Sequence, residues 1–267
     1  MRLPRTSHQP VEPLQELPLG LGEYVAGGSR SLPFLSLDGA RRRRPLVFGQ
    51  VTDDLGCYPA LAAGMFSGRQ SDPCEWAVMW RELGADGVWV DLRGEDASLV
   101  RRIASRCRIP VAVTADHTVL EELSGFGDAG TMILIGRDSP YTGPVGDHAV
   151  LIPGRSADEI SDLCLGAGSR TVIGIGFDGP GEGLGTGVRL AREIRERALS
   201  GVAELGHPIL ADVTGCWNRG FPDARAASMW EAETALAAML AGADIVMVRG
   251  PGAADMTRVY GEELADL

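Results

Sequence analysis

The chain contains no lysine; all 25 of its basic residues are arginine. Schiff-base chemistry, which requires a lysine amine, is thereby excluded. Cysteine is sparse. The five thiols (Cys57, Cys74, Cys107, Cys164 and Cys216) are scattered and form no C-x-x-C pair. Neither an iron–sulfur cluster in this chain nor a structural zinc site is indicated, and a reduced, cytoplasmic protein is the expectation. No apolar run approaches the length of a membrane span. Residues 1–22, polar and rich in proline, lack the apolar core of a signal peptide and read as a flexible lead-in. Cation excess is missing too. With 36 acidic residues the net charge is -11, which disfavours nucleic acid and anionic membranes as partners. No Ser/His/Asp ordering, metal-ligand cluster or Asp-x-His-x-x-Gly cobalamin motif occurs.

What is present is a repeated cadence. In residues 228–251, Ser228 and Glu231 have the spacing of a capping box, and Trp230, Ala237, Leu240 and Ala241 recur at helical intervals. Gly242 supplies a left-handed helix stop. Asp244 then precedes the apolar run Ile245-Val246-Met247-Val248, as expected of a parallel strand buried on both faces. The same order returns where Gly84-Ala85-Asp86 leads into Val88-Trp89-Val90-Asp91.

Eight such apolar runs fall at 46–51, 88–92, 110–114, 132–135, 149–152, 172–175, 209–213 and 245–248. Helical patterns at 74–83, 97–107, 118–123, 157–165, 188–205, 226–241 and 253–264 separate most of them. This alternation predicts parallel strands joined by right-handed crossovers, closing into a single (β/α)₈ TIM barrel of the α/β class. A doubly wound open sheet is the alternative. The 267 residues suffice for one such core, burying roughly 73–75% of the unfolded surface. The barrel spans 45–267 within a domain of 23–267. A hairpin at 23–38, with arms Tyr24–Ala26 and Leu32–Leu35 around Gly27-Gly28-Ser29-Arg30, would plug its bottom. Arg41 to Arg44 reads as a solvated linker. The crossover after strand four is shortened, because 136–148 is loop-like.

In a barrel of this kind the working face lies at the strands' C-terminal ends. Residues at or just past those ends are Asp53 and Asp54, Asp91, Thr114, Asp116 and His117, Arg137 and Asp138, Asp178, Asp212 and Thr214, and Arg249. Asp116 is also placed to cap the following helix. Asp91 and Asp212 end buried runs without opening a helix. Ionised carboxylates only accept hydrogen bonds, so this ring suits a heterocycle rich in N–H donors, such as a pterin edge. It suits a phosphate poorly, since Pro251 removes a donor from the Gly250-Pro251-Gly252 turn. The loop at 176–187 is dense in glycine and reads as a mobile lid. Its G-x-G-x-x-G spelling is set aside because Pro180 follows and no helix opens there. Tyr58, Phe66 and Trp217 fall in loops on the same face, where an aromatic ring could lie against a flat macrocycle.

Several landmarks together resemble one family. They are Gly27-Gly28 with Leu32-Pro33-Phe34, Asp72-Pro73 with Trp76-Ala77, Gly84-Ala85-Asp86, Trp230-Glu231 with Thr234-Ala235, and the run Ala241 to Arg249 with Pro251. Their order is similar to that of the delta subunit of acetyl-CoA decarbonylase/synthase. That subunit is the small subunit of the corrinoid iron–sulfur protein, a TIM barrel related to pterin-binding methyltransferases. The resemblance covers about residue 24 to the C-terminus. It implies a corrinoid shared with a corrinoid/iron–sulfur large subunit, and methyl transfer from a methylated pterin, met indirectly, toward acetyl-CoA synthesis or breakdown. The family's Arg-His-Pro after the last strand is here Arg249-Gly250-Pro251. Two other readings stay open: a stand-alone methyltetrahydrofolate-type methyltransferase, and a non-catalytic assembly barrel.

Overall fold

The computed structural model describes residues 14–30, 43–127, 130–179 and 183–266. An antiparallel hairpin, β1 (Glu16–Leu19) and β2 (Tyr24–Gly27), precedes eight parallel strands. These are β3 (Leu46–Thr52), β4 (Gly87–Asp91), β5 (Val111–Ala115), β6 (Ile133–Gly136), β7 (Ala149–Pro153), β8 (Thr171–Gly176), β9 (Ile209–Asp212) and β10 (Ile245–Val248). They close as a barrel in chain order, with β10 pairing back to β3. The helices are α1 (Ala60–Ala63), α2 (Pro73–Glu82), α3 (Ala97–Cys107), α4 (His117–Ser124), α5 (Ala157–Cys164), α6 (Leu184–Leu199), α7 (Ala224–Leu240) and α8 (Pro251–Asp266).

Side chains alternate across each strand with a period of two, so one sequence feeds two cores. Leu46, Phe48, Trp89, Ala112, Ile133, Leu210, Ile245 and Met247 fill the barrel interior. Val47, Val88, Val90, Val111, Val113, Ala211, Val246 and Val248 face outward to the helices. The hairpin closes the bottom: Leu17, Leu19 and Ala26 join the interior cluster.

Both Gly-Ala-Asp turns do the same work at that end. Asp86 Oδ2 accepts the N–H of Val47 at 2.9 Å and a guanidinium N–H of Arg44 at 2.7 Å. Asp244 Oδ2 accepts the N–H of Ile209 at 2.8 Å and pairs with the buried Arg195. Each aspartate therefore ties the start of its strand to a neighbouring strand through a backbone donor and an arginine.

Four expectations are corrected. The hairpin's turn lies upstream, at Gly20 and Gly22, whose φ angles of +59° and +96° suit glycine; Tyr24–Ala26 is its second arm, and 16–19 is strand rather than lead-in. Leu32–Leu35, Arg41 and Arg42 lie outside the described residues. The helix of the last module starts earlier than its capping-box spacing indicates. Asp223 caps it by accepting the Ala226 N–H at 2.8 Å, which leaves Ser228 and Glu231 buried inside α7. Finally, α6 begins at Leu184, so the glycine-dense loop is shorter than 176–187.

Residues 137–148 form no helix, and this segment is pinned through His148 instead. Its Nδ1 accepts the Met132 N–H at 3.2 Å, which leaves Nε2 to donate to the Leu123 carbonyl at 3.0 Å.

Candidate functional site

The period of two that builds the interior also builds the mouth. Two residues beyond Phe48, Trp89, Ala112, Ile135, Leu210 and Met247 come Gln50, Asp91, Thr114, Arg137, Asp212 and Arg249. These six polar residues face inward toward the C-terminal ends of the strands and in the turns just beyond them, with Gln50 one step below Thr52, the residue of β3 that pairs with Asp91. Together with Trp89, Arg93, Thr214, Gly215 and Asn218, five of them line a cavity of about 390 Å³. Gln50 lies beneath, 1% exposed.

Its charges are organised in pairs. Asp91 is nearly buried, and Arg137 Nη1 donates to its Oδ1 at 2.9 Å, while Arg93 Nη2 donates to Oδ2 at 2.7 Å. Arg137 also donates to the carbonyls of Leu92 and Thr114 and to Asp116 Oδ1 at 3.2 Å. On the facing wall, Asp212 Oδ1 accepts both the N–H and the hydroxyl of Thr214, at 2.9 and 2.6 Å. Among the described residues no donor is directed at Asp212 Oδ2. Arg249 donates through Nε to Gln50 Oε1 and through Nη1 to the Thr214 carbonyl at 3.1 Å. Three guanidiniums thus stand against two carboxylates around the cavity. Trp89 floors it, with its indole N–H donating to Thr114 Oγ1 at 2.8 Å.

Asp91, Thr114, Arg137, Asp212, Thr214 and Arg249, read from the sequence, come together at this cavity. The other six candidates do not line it. Asp53 accepts the backbone N–H groups of Arg93 and Gly94 at 2.7 and 2.8 Å, shaping the loop after β4. Asp54 caps the 3₁₀ turn Leu55–Cys57. Asp116 occupies the N-cap position of α4 without bonding its backbone, and is spent on Arg137. Asp178 is exposed beside Gly183 and Gly215. Tyr58 and Trp217 are buried, as is Phe66, and none lines the cavity. Tyr58 donates its hydroxyl to the Arg249 carbonyl at 3.0 Å and packs edge-on against Trp76.

Trp89, Arg93, Asn218 and Gln50 escape the sequence reading. Two of them carry a signal: Trp89 lies two residues before Asp91 on the same face, and Gln50 is a polar residue inside an apolar strand. Spacing alone makes Glu231 a helix cap. It is instead a fully buried carboxylate whose Oε1 and Oε2 accept the N–H groups of Arg249 and Gly250 at 2.7 and 2.8 Å. Burial pushes its pKa up to about 7, against the pull of those two donors, of Trp217 and of the Arg249 guanidinium. The donors that a phosphate could take from this turn are therefore already occupied.

Among the described residues no His/Cys/Asp/Glu group is placed to hold a metal, and no helix is long and apolar enough to cross a membrane. A larger groove of about 630 Å³, at the opposite end between the hairpin and α3, is lined by Arg101, Arg102 and Arg108 and by no carboxylate other than Glu23.

No protein-family model matches the sequence, and no curated protein matches it. Solved structures do. Dihydropteroate synthase from Thermus thermophilus, in complex with 6HMPPP, superposes with a TM-score of 0.54 at 18% identity, covering 92% of this chain and 98% of that one. The Xanthomonas albilineans dihydropteroate synthase, in complex with 7,8-dihydropteroate, gives 0.54 at 19% identity, covering 86% and 95%. The enzyme from Coxiella burnetii, in complex with pteroic acid, gives 0.56 at 12% identity, covering 94% and 97%. The likeness is one of fold, and it extends over nearly the whole of both chains.

Proposed function

We propose that this barrel binds a pterin at its mouth and serves one-carbon transfer. The observation that carries the reading is Asp212, whose Oδ2 meets no donor among the described residues, sharing with Arg137 and the neighbouring Arg249 a cavity floored by Trp89. A pterin presents an amino group and a ring N–H that suit the carboxylate, and a ring carbonyl that suits a guanidinium. Its flat bicycle matches an aromatic floor. When a methyl group passes from the ring nitrogen to an acceptor, the electron pair of the broken bond stays on that nitrogen, which needs a proton, and the mouth would assist that protonation. The solved relatives bound to dihydropteroate and pteroic acid lend the same fold to the same ligand class. Arg93, whose side chain is 41% exposed against 16% for Arg137, is the Asp91 partner that an entering ring can displace. Isothermal calorimetry with methyltetrahydrofolate and with 6-methylpterin tests the reading. Saturable heat from either supports it, and heat from neither ends it.

A corrinoid-subunit role is the second reading. What supports it is that the landmarks Trp230-Glu231 and Arg249-Gly250, distant in sequence, meet through the Glu231 carboxylate. The mouth does not itself fit a corrin. Its cavity is too small to enclose a macrocycle, and the aromatic residues expected to face one are buried. The grip would then come from the large subunit. Co-expression with a corrinoid/iron–sulfur large subunit tests this: a complex with a cobalamin absorbance band supports it, and a chain that captures neither partner nor corrinoid removes it.

A further inference from the structure

We infer that Glu231 is a positioning residue for Arg249, holding that arginine in the mouth while its carboxylate is ionised and releasing it on protonation. Glu231 touches neither the cavity nor anything in it. It reaches the mouth through the two peptide groups that begin the turn between β10 and α8.

The geometry leaves little slack. Each Glu231 oxygen serves one donor, the Arg249 N–H or the Gly250 N–H. Space at Gly250 is tight: a Cβ there would lie 3.0 Å from Trp217 Cζ2, 3.1 Å from Glu231 Oε2 and 3.1 Å from Ser228 Oγ, so these neighbours would have to give by a few tenths of an ångström. On the other side, the Arg249 carbonyl is held by the Tyr58 hydroxyl, and the centre of the Tyr58 ring lies 5.8 Å from the guanidinium carbon. Fixed at both peptide groups, Arg249 projects its side chain onto Gln50 and the Thr214 carbonyl. A proton placed on either Glu231 oxygen removes the charge that both N–H groups are paired with and weakens that oxygen as an acceptor. One of the two N–H groups then keeps only a neutral, poorer partner, in a pocket closed to compensating solvent.

The groups around Glu231 leave it as the one that changes charge near neutrality. Tyr58 approaches from the segment after β3, Cys216 and Trp217 from the 3₁₀ turn after β9, Ser228 from α7 itself, and Arg249 from the end of β10. Beyond burial, Asp212, like Glu231, acts to raise the Cys216 thiol. Burial pushes the Tyr58 hydroxyl and the Cys216 thiol well up, so both stay protonated at neutral pH. The Arg249 guanidinium stays charged at any such pH. Ser228 Oγ is buried without a hydrogen-bond partner among the described residues and takes neither peptide donor, and the Trp217 indole N–H, not in good hydrogen-bond geometry, adds only a weaker pull on the carboxylate. A carboxyl titrating near 7 in this setting makes the placement of Arg249 depend on a single proton.

The effect on a ligand rests on the pterin reading; the effect on Arg249 does not. If the ionised form alone is competent, apparent affinity at pH 6 is about tenfold weaker than at pH 8, following the competent fraction. The test has two arms on the full chain. In the first, the Arg249 Nε–H resonance, assigned by its loss in Arg249→Lys, is followed by ¹⁵N NMR from pH 8 to pH 6 without ligand. A shift or broadening with a midpoint near 7, absent in Glu231→Gln, is the expected result. A resonance that does not move in the wild type overturns the inference, whether or not the Gln variant folds. In the second, 6-methylpterin is titrated calorimetrically at pH 6, 7 and 8. Roughly tenfold weakening in the wild type and a flat profile in Glu231→Gln are expected, and the same slope in both proteins overturns the inference. Absence of heat at every pH counts against the pterin reading alone, and the resonance then decides the role of Glu231.

Discussion

Arg137 Nη1 lies 2.9 Å from Asp91 Oδ1, joining strands that are not neighbours in the barrel, β4 and the end of β6, across the floor of the mouth. Both groups are largely out of water, with side-chain exposures of 16% and 8%. Removing one partner strands the other. Arg137→Gln is expected to cost about 2–4 kcal/mol, more than the net worth of the pair, because Asp91 stays buried with the more exposed Arg93 as its remaining cation. Urea denaturation measures the loss. An Asp91→Asn/Arg137→Gln double variant nearer to wild type than either single change would confirm that the cost is one of desolvation.

At Asp212 stability and binding are expected to separate. Asp212→Asn keeps an oxygen for the Thr214 N–H and hydroxyl, so the melting temperature should move by no more than a few degrees. It replaces an acceptor in the mouth with a donor, which faces the ligand's own donors. Affinity for 6-methylpterin should drop by at least about tenfold, roughly the 1.4 kcal/mol of one lost charge-assisted hydrogen bond. Unchanged affinity would remove Asp212 from the site.

Two glycines make a matched pair. Trp80 lies flat on Gly49 of β3, where a Cβ would come within 2.0 Å of its Cδ2, and the indole is held there by its N–H bond to the Gln50 carbonyl at 2.8 Å. Gly49→Ala should cost more than about 3 kcal/mol or prevent folding. Gly64 has an ordinary helical φ of -61° and nothing within 4 Å of its Cβ position. Gly64→Ala should be neutral or stabilising by about 0.4–1 kcal/mol, through the unfolded chain. Paired thermal melts distinguish the two.

The buried histidines set the acid limit. Desolvation depresses the pKa of His148, so its neutral form is the folded one. A group depressed in the folded state contributes stability that is complete above its unfolded pKa of about 6.5 and lost as pH falls through its lower folded value. The contribution of His148 should therefore be lost progressively below pH 6.5. His148→Gln should be less stable at pH 7.5, having lost the fit to Met132 and Leu123, yet show a shallower acid slope. Glu231 acts in the opposite sense: its raised pKa favours the fold below about 4.5, an advantage lost as pH rises through 7. Denaturation curves at pH 5.5 and 7.5 separate the contributions.

The barrel was legible because its strands are short apolar runs between glycine stops and helical patterns, and each run fell on a strand. The polar layer was half legible. Strand ends pointed to Asp91, Arg137, Asp212 and Arg249, since a charge closing a buried run has few places to go but the mouth. Loop residues were not legible in the same way. Asp53 and Asp54 are as close to a strand end in sequence, yet turn geometry spends them on backbone groups, and Tyr58, further along the same segment, reaches the Arg249 carbonyl. Glu231 misleads for a related reason. Its spacing from Ser228 matches a local cap, and only the fold brings the Arg249 peptide within reach.

The twin aspartates at the hairpin end, Asp86 and Asp244, fasten consecutive staves of the cask from below, using backbone donors that no rim loop contributes. The rim can therefore be rebuilt, by grafting a longer connection between β6 and β7 or trimming the segment around α1, without unhooping the vessel beneath it.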